Sequence, residues 1–455
     1  MQPAGTHYGQ PMTDRVVAAL QALVRIPTVS DRDPSRVDSD AFDRLLAELE
    51  TQYPLLHERL TTTIVGTHGL LLHWPGASAE RPVVLMAHLD VVPVDAEAPW
   101  QHEPFGGEIH ESPTGPAIWG RGTLDDKGCV VGICEAVESL LEAGHTPAQD
   151  VWLSFGCDEE VGGTAAPEAV EVLRARGVTP WLVVDEGGAI ASGAFPGVTA
   201  PLGVIGVTEK GTTSLELVAE GRGGHASTPA LNGPTARIAR AILRIEKAPF
   251  PASAPAPTLE LMRRIAPHVP LPLRPLLGRA DRIAPVVTRA LLAAGPEAAA
   301  MTRTTVATTT LSGSPALNVI ASTARAGLNI RVMVGDTVAG VVEHVRAAIK
   351  DDSIRIDVVE SGEPSPISPM AEAFELLEEC IGEVFPEAVP TPYVMMAATD
   401  SRHFTAISEH VYRFAPFRMT KAQRQAIHSY DEHIGVADLV DGARWYRLLL
   451  ERLPS

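Results

Sequence analysis

Pro82-Val83-Val84-Leu85-Met86-Ala87-His88-Leu89-Asp90 is the stretch on which the fold turns. Val83 to Ala87 are apolar without alternation. A strand of that kind buries both of its faces, so it belongs in the middle of a sheet covered by helices on both sides. The run then stops at a histidine and an aspartate two residues apart, which in extended backbone point to the same side.

Outward from this strand the same texture repeats. Residues 14–24 and 39–52 read as amphipathic helices, and Gly69-Leu70-Leu71-Leu72-His73-Trp74 reads as a strand. Residues 126–143 read as a helix, 150–155 as a buried strand, 167–176 as a helix and 180–184 as another strand. Strands alternating with helices predict an α/β sheet covered on both faces. Near residue 203 the texture changes. A strand over 212–219, a helix over 235–246, strands over 304–311 and 322–333, a helix over 337–350 and a strand over 353–359 give β-α-β-β-α-β, the order of a ferredoxin-like sandwich. A Pro- and Ala-rich stretch, 248–300, interrupts it and is too long for a plain loop. Helices are expected in it near 259–265 and 283–293. From about 362 the first texture returns, with helices over 370–385 and 436–453. One unit, 205–360, is therefore read as inserted into another made of 1–204 and 361–455.

Bulk properties narrow the class. The chain has 455 residues, which suits two domains. Thirty-seven Lys and Arg stand against 56 Asp and Glu, a formal charge of −19, so there is no electrostatic footprint for nucleic acid and no polybasic segment for anionic lipid. No run reaches the ~18 apolar residues of a membrane span. Residues 1–13 are polar and carry no signal-peptide pattern. Cys129, Cys134, Cys157 and Cys380 form no CxxC pair and read as reduced thiols. The expected compartment is the cytoplasm.

The chemistry falls at the C-terminal ends of the apolar strands, where open α/β sheets bind ligands. Besides His88 and Asp90 there are Gly120-Arg121-Gly122-Thr123-Leu124-Asp125-Asp126, Cys157-Asp158-Glu159-Glu160, Val184-Asp185-Glu186-Gly187-Gly188 and Ile427-His428-Ser429-Tyr430-Asp431-Glu432-His433. Each has a plain reading alone: Asp125 as a helix N-cap, the three consecutive carboxylates as a solvated turn. Together, two histidines and carboxylates from several segments are what a pair of zinc ions needs. Zinc takes about four N and O ligands, and one bridging carboxylate spans ions ~3.5–4 Å apart.

With these five segments in this order, the chain resembles the M20 metallopeptidases, a family that includes glutamate carboxypeptidase and aminoacylase-1. The likeness runs from Leu23-Val24-Arg25-Ile26-Pro27-Thr28-Val29-Ser30 to the end. Asp185-Glu186-Gly187-Gly188, Thr399-Asp400-Ser401-Arg402-His403-Phe404 and the long insert bring it nearest to the carboxypeptidase S subgroup. The resemblance implies a zinc-peptidase-like catalytic domain with a mixed central sheet and an inserted lid or dimerisation domain. It implies two zinc ions per chain, with cobalt or manganese as substitutes on the same ligands. His88, Asp125 (bridging), Glu160, His428 and either Asp185 or Glu186 would be ligands. Glu159 would be the general base and Asp90 the residue orienting His88. His225, in Gly223-Gly224-His225, would stabilise the oxyanion, and Asn318, Arg331 and Arg402 would contact substrate. His102, His110, His145 and His403 are background. The implied activity is hydrolysis of an amide bond beside a free carboxylate, in a small peptide or an N-acyl amino acid. The implied assembly is a homodimer in which His225 serves the other subunit's site, unless 248–300 covers the site within one chain. A metallo-aminopeptidase would need recognition of a free N-terminus instead, and a silent binding protein would need to have lost Glu159 or a ligand.

Overall fold

A computed structural model describes residues 10–95, 97–195 and 197–455. The segment 1–9, most of the polar start considered above, lies outside the described residues.

The strand Ser78–His88 runs through the middle of a ten-stranded sheet, parallel to Gln149–Gly156 on one side and Leu182–Asp185 on the other. The order continues outward to Gly69–Trp74 and Thr61–Val65 at one edge. On the other side it passes Val411–Arg413, Leu202–Glu209 (with Val389–Met395 alongside) and Ala189–Ala191, and ends at Arg418–Met419. Gly69–Trp74 is antiparallel to its neighbour, so the sheet is mixed.

The two-faced strand packs as its composition requires. Val83, Leu85 and Ala87 share a core with the helices Gln10–Val24, Lys127–Glu142, Glu372–Val384 and Val436–Glu451. Val84 and Met86 face the opposite way, toward Ala165, Ala169, Val170 and Leu173 of the helix Ala165–Ala175. Each of these strand side chains is removed from water, worth about 1.5–3 kcal/mol for a large aliphatic residue.

The smaller sheet has the order Thr305–Ser312, Thr323–Val332, Gly211–Glu220, Ile354–Ser361, all antiparallel neighbours. This is the ferredoxin-like arrangement. Its alternating strands turn Leu215, Leu217, Leu328 and Ile330 toward the helices Pro234–Glu246 and Val338–Ile349. The other face is partly exposed.

The structure adds two details to the layout read from the sequence. The strand Leu202–Glu209 stays in the large sheet up to Glu209, and the small sheet begins at Gly211, so the crossover lies near residue 210 rather than 205. The 248–300 segment contains the expected helices, Ala256–Ile265 and Ala284–Ala293, but most of it does not pack with the small sheet. Leu261, Met262, Ile265, Val287 and Leu291 form a separate core with Val198 and Leu202, and Val204, Val389 and Tyr393 pack against it. The physical reason is that Leu202 and Val204, with Val389 and Tyr393 of the neighbouring strand, present an apolar face that these helices bury. An Arg264–Glu378 ion pair fastens the cover to the neighbouring helix. Of this stretch, Phe250 joins the core of the small sheet and Ala248 packs against it.

Candidate metal centre

Four of the segments leave the end of a strand, while the fifth, with His428, runs from the helix Lys421–Ala426 to the strand His433–Gly435; each is held by its own local bonds. Of the three consecutive carboxylates, Asp158 turns away from the others. Its oxygens accept the backbone N–H groups of Thr164 and Ala165 at 2.8 and 3.2 Å, closing the loop before Ala165–Ala175. Gly163 lies so close to that carboxylate that a Cβ there would sit 1.9 Å from it. Glu159 and Glu160 are left facing the strand end. Their backbone N–H groups donate to Asp90 Oδ1 and Oδ2, both at 3.2 Å.

Asp90, fully buried, therefore does more than the expected orientation of His88. The His88 ring Nδ1 lies 3.0 Å from the Asp90 backbone oxygen and 3.4 Å from its Oδ1. The carboxylate's shorter bonds go to Ser30 Oγ, at 2.7 Å, and to the Glu159–Glu160 turn. The strand ends at His88, so the alternation that would have aimed both side chains alike is broken before Asp90.

With Nδ1 so engaged, His88 Nε2 faces Asp125 Oδ1 at 2.9 Å. The other oxygen of Asp125 lies 2.9 Å from His428 Nε2, which is also 3.0 Å from Glu160 Oε2. Two candidate metal-ligand groups result, His88–Asp125–Glu186 and Asp125–Glu160–His428. Within each, the ligand atoms lie within 4.8 Å of one another. Asp125 is not the helix cap. Asp126 occupies that position without a capping bond, and its Oδ2 accepts the His88 backbone N–H at 3.3 Å.

Asp185 and Glu186 are turned to different partners. Asp185 is buried, and its Oδ2 accepts the Ser401 N–H at 2.9 Å. Glu186 turns toward His88 and Asp125. The chain then leaves through Gly187, at φ +107°, and Gly188, where a Cβ would lie 2.1 Å from the Val204 carbonyl oxygen.

The electrostatics fit a cation pair. Burial, with Asp125 and Asp185 adding to it, holds the Glu186 carboxyl well above its ordinary value. Burial does the same for Glu159, opposed by His88 and reinforced by Asp400 and Asp125. Burial lowers His88, but Asp125 and Asp90 outweigh it and hold the imidazole well above its usual range. Hydrogen bonds to Asp125 and Glu160 push His428 up to about 10. Carboxylates crowded out of water repel unless positive charge lies among them. Glu160 Oε1 is moreover buried without a hydrogen-bond partner. Two imidazoles and three carboxylates form an N/O donor set suited to zinc, cobalt or manganese.

This bridged geometry coincides with a match to the model of peptidase family M20/M25/M40 over residues 84–452. The chain belongs to that family. Among M20 relatives it is 32% identical over 431 residues to "Probable carboxypeptidase S-like 2" of Dictyostelium discoideum, covering 91% of this chain and 81% of the relative. It is likewise 32% identical over 431 residues to "N-fatty-acyl-amino acid synthase/hydrolase PM20D1" of Xenopus tropicalis, covering 92% and 82%. The M20 family metallo-carboxypeptidase Sso-CP2 from Sulfolobus solfataricus shares the fold, with a TM-score of 0.69 at 17% identity, covering 96% of this chain and 98% of that one. This M20 chain is accordingly a hydrolase acting on amide bonds.

The remaining candidates lie apart from the two groups. His225 is exposed on a two-residue strand paired with Val319–Ile320, and the Ala226 N–H donates to the Asn318 oxygen at 3.1 Å. Arg331 donates to Thr212 Oγ1 at 2.8 Å in the small sheet. Among the described residues no hydrogen bond or ion pair joins these three to the cluster. Arg402 is nearer: its Nη2 would lie 3.8 Å from a Cβ on Gly162, in the Glu159–Glu160 loop. Thr399 and Ser401 anchor its segment, Thr399 Oγ1 donating to Glu209 Oε1 at 2.9 Å. Of the background histidines, His102 and His110 stack on each other, His145 packs edge-on to Trp74, and burial pushes His403 down to about 4.

Sequence reasoning missed Arg121 and Glu432. Glu432 is fully buried, and its Oε1 accepts the backbone N–H groups of Leu124 and Asp125 at 2.9 and 3.2 Å. Its Oε2 pairs with Arg121 Nη1 at 2.6 Å, and Arg121 Nη2 donates to the Ser429 carbonyl at 2.6 Å. The pair ties the Asp125 loop to the His428 loop. Its signal was present, since each residue lies within four positions of a candidate ligand, but two segments more than 300 residues apart give no hint of contact.

Proposed function

We propose that the chain is a two-zinc hydrolase cutting the amide bond beside a free carboxylate, as a carboxypeptidase or an N-acyl amino acid hydrolase on small substrates. The observation that carries this reading is Asp125, whose two oxygens each face a different imidazole at 2.9 Å. His88, Asp125 and Glu186 would hold one ion, and Asp125, Glu160 and His428 would hold the other. Bound there, the ions supply Lewis acidity that lowers the pKa of water toward neutrality.

Glu159 accepts the proton of the attacking water and returns it to the leaving amine. Its place in the reading rests on the turn fixed by Asp90, which leaves it next to the ligand Glu160 but outside both ligand groups. Arg402, beside the same loop, binds the substrate carboxylate, a task suited to the planar guanidinium. The printed names of the two relatives, a carboxypeptidase S-like protein and an N-fatty-acyl-amino acid hydrolase, support substrates of this class.

The unit from about 211 to 361 is proposed as a lid and dimerisation domain. His225, Asn318 and Arg331 act from it, His225 stabilising the oxyanion of the other subunit's substrate. The absence, among the described residues, of any hydrogen bond or ion pair from these three to the cluster within one chain supports action between subunits. The cytoplasm is the proposed compartment, supported by four free, buried cysteines.

The test is hydrolysis of dipeptides and N-acyl amino acids by purified protein, metal-loaded and chelated, with metal analysis. About two ions per chain and loss of hydrolysis on chelation are expected. Full activity in metal-free protein refutes the reading.

A further inference from the structure

The 248–300 segment carries a surface that its packing on the large sheet does not use. Val269 and Ala280 are buried in the core it forms with that sheet. Between them, Pro270-Leu271-Pro272-Leu273-Arg274-Pro275-Leu276 is exposed at every position. Leu271 is 74% exposed, Leu273 46% and Leu276 42%. An unbroken exposed run of mostly apolar residues invites association and marks a place where something docks. The backbone here is regular, a 3₁₀ turn over Leu271–Leu273 followed by a helical turn over Arg274–Leu277. With both ends buried, the leucines are held outward on a fixed support.

Positive charge surrounds this run. Residues 261–296 hold six arginines and one acidic residue, Asp281, in a chain whose formal charge is −19. Arg263 and Arg264 are spent on Glu260 and Glu378. Arg274 donates Nε to the Val269 carbonyl at 2.9 Å and meets no carboxylate. Arg279 and Arg282 are exposed, border one surface cleft with Gly278, and form no ion pair among the described residues. The whole-chain charge conceals this local excess, and these three arginines stand singly, so no basic run marks them in the sequence. The combination chooses among occupants. A second copy docking about a two-fold axis would bring the same unpaired arginines together. A domain that reads proline-rich peptides needs a polyproline backbone, whereas these prolines lie on helical turns. Nucleic acid would engage the arginines and leave the leucines in water. A lipid surface with negative headgroups takes both, the leucines leaving water and the guanidinium groups staying at headgroup level.

We propose that residues 270–282 dock this protein onto an anionic membrane surface. Leu271, Leu273 and Leu276 enter the interface, and Arg274, Arg279 and Arg282 meet the headgroup phosphates and carboxylates. The contact is peripheral, since no helix among the described residues is long and apolar enough to cross a membrane. It is also reversible, because a few leucines and arginines bind far more weakly than a spanning helix. In the compartment proposed above, the leaflet on offer is the negatively charged one. The docking stands apart from the proposed hydrolysis, as none of these residues belongs to either candidate ligand group.

The test is sedimentation of the whole protein with two kinds of vesicle, phosphatidylcholine alone and phosphatidylcholine with an equal part of phosphatidylserine. Binding to the anionic vesicles only, weakened by added salt, is expected. Each basic residue at such a surface is worth about fivefold in binding, so Arg279→Ala with Arg282→Ala should lower it roughly 25-fold. Leu271→Ser with Leu273→Ser should lower it by about tenfold or more. All four side chains are exposed, so thermal unfolding and metal content should match the parent in both variants. Leu273→Trp should gain an emission that brominated lipids quench, as insertion requires. Equal binding to neutral vesicles, binding to neither kind, or binding that survives both double changes overturns the proposal. A smaller oligomer in the double leucine variant without lipid also overturns it, by assigning the leucines to contact between copies.

Discussion

Replacing Glu432 by alanine removes the acceptor that joins the two loops carrying Asp125 and His428. The change strands the Arg121 guanidinium, which is 2% exposed, and deprives the Leu124 and Asp125 N–H groups of their acceptor. Burial already pushes the Glu432 carboxyl above its ordinary value in spite of Arg121, so desolvation outweighs attraction even in the intact pair. Breaking such a pair from one side costs about 3–5 kcal/mol, because the surviving charge stays buried and alone. Against a total stability of about 5–15 kcal/mol that is a large share. The double change Arg121→Met with Glu432→Leu leaves no stranded charge and should recover most of the loss. It should not recover metal affinity, since neither new side chain can hold the Asp125 backbone or the Ser429 carbonyl. Denaturant unfolding of the metal-free proteins measures the first quantity, and competition with a chelator the second. If Glu432→Ala matches the parent in both, or if the double variant binds metal as tightly as the parent, the positioning role is wrong.

Glu159→Gln should keep both ions and lower kcat by about a hundred- to ten-thousandfold, since an amide cannot accept the proton; metal analysis alongside kinetics checks it. Asp125→Ala should lose both ions, because both groups share that carboxylate, and loss of only one would break the bridge model. Glu186→Gln should weaken one ion selectively, whereas Asp185→Asn should leave metal content intact and lower stability by about 0.5–3 kcal/mol through the Ser401 bond; the reverse pattern would exchange their roles. Mixing His225→Ala with Glu159→Gln chains, each nearly inactive alone, should restore activity on subunit exchange, and no recovery despite demonstrated exchange would place His225 in its own chain's site.

The regular elements were legible where apolar spacing is local. The helix Ser39–Gln52 and the strand Gly69–Trp74 fall on the expected residues, and the ferredoxin-like order follows from alternation along Gly211–Glu220 and Thr323–Val332. The far half of the large sheet was not legible. Val389–Met395 carries two prolines, and Val411–Arg413 and Arg418–Met419 are too short to show a period. The hairpin Glu108–Ser112 with Gly115–Trp119 escaped for the same reason. Strands of that length owe their conformation to neighbours that arrive from elsewhere in the chain.

By itself the sequence determined the kind of chemistry, because residue type and position at a strand end are properties of the chain. His88, Asp125, Glu159, Glu160 and His428 could be singled out before any contact was known. It could not choose between Asp185 and Glu186, since neighbouring residues in a strand face opposite ways and only packing fixes which way is inward. The tertiary structure groups Glu186 with His88 and Asp125 and gives Asp185 the Ser401 N–H, and the proposed ligand set rests on that arrangement. It also placed the 248–300 segment on the large sheet, because an amphipathic helix specifies that it must bury a face but not which uncovered surface it will find.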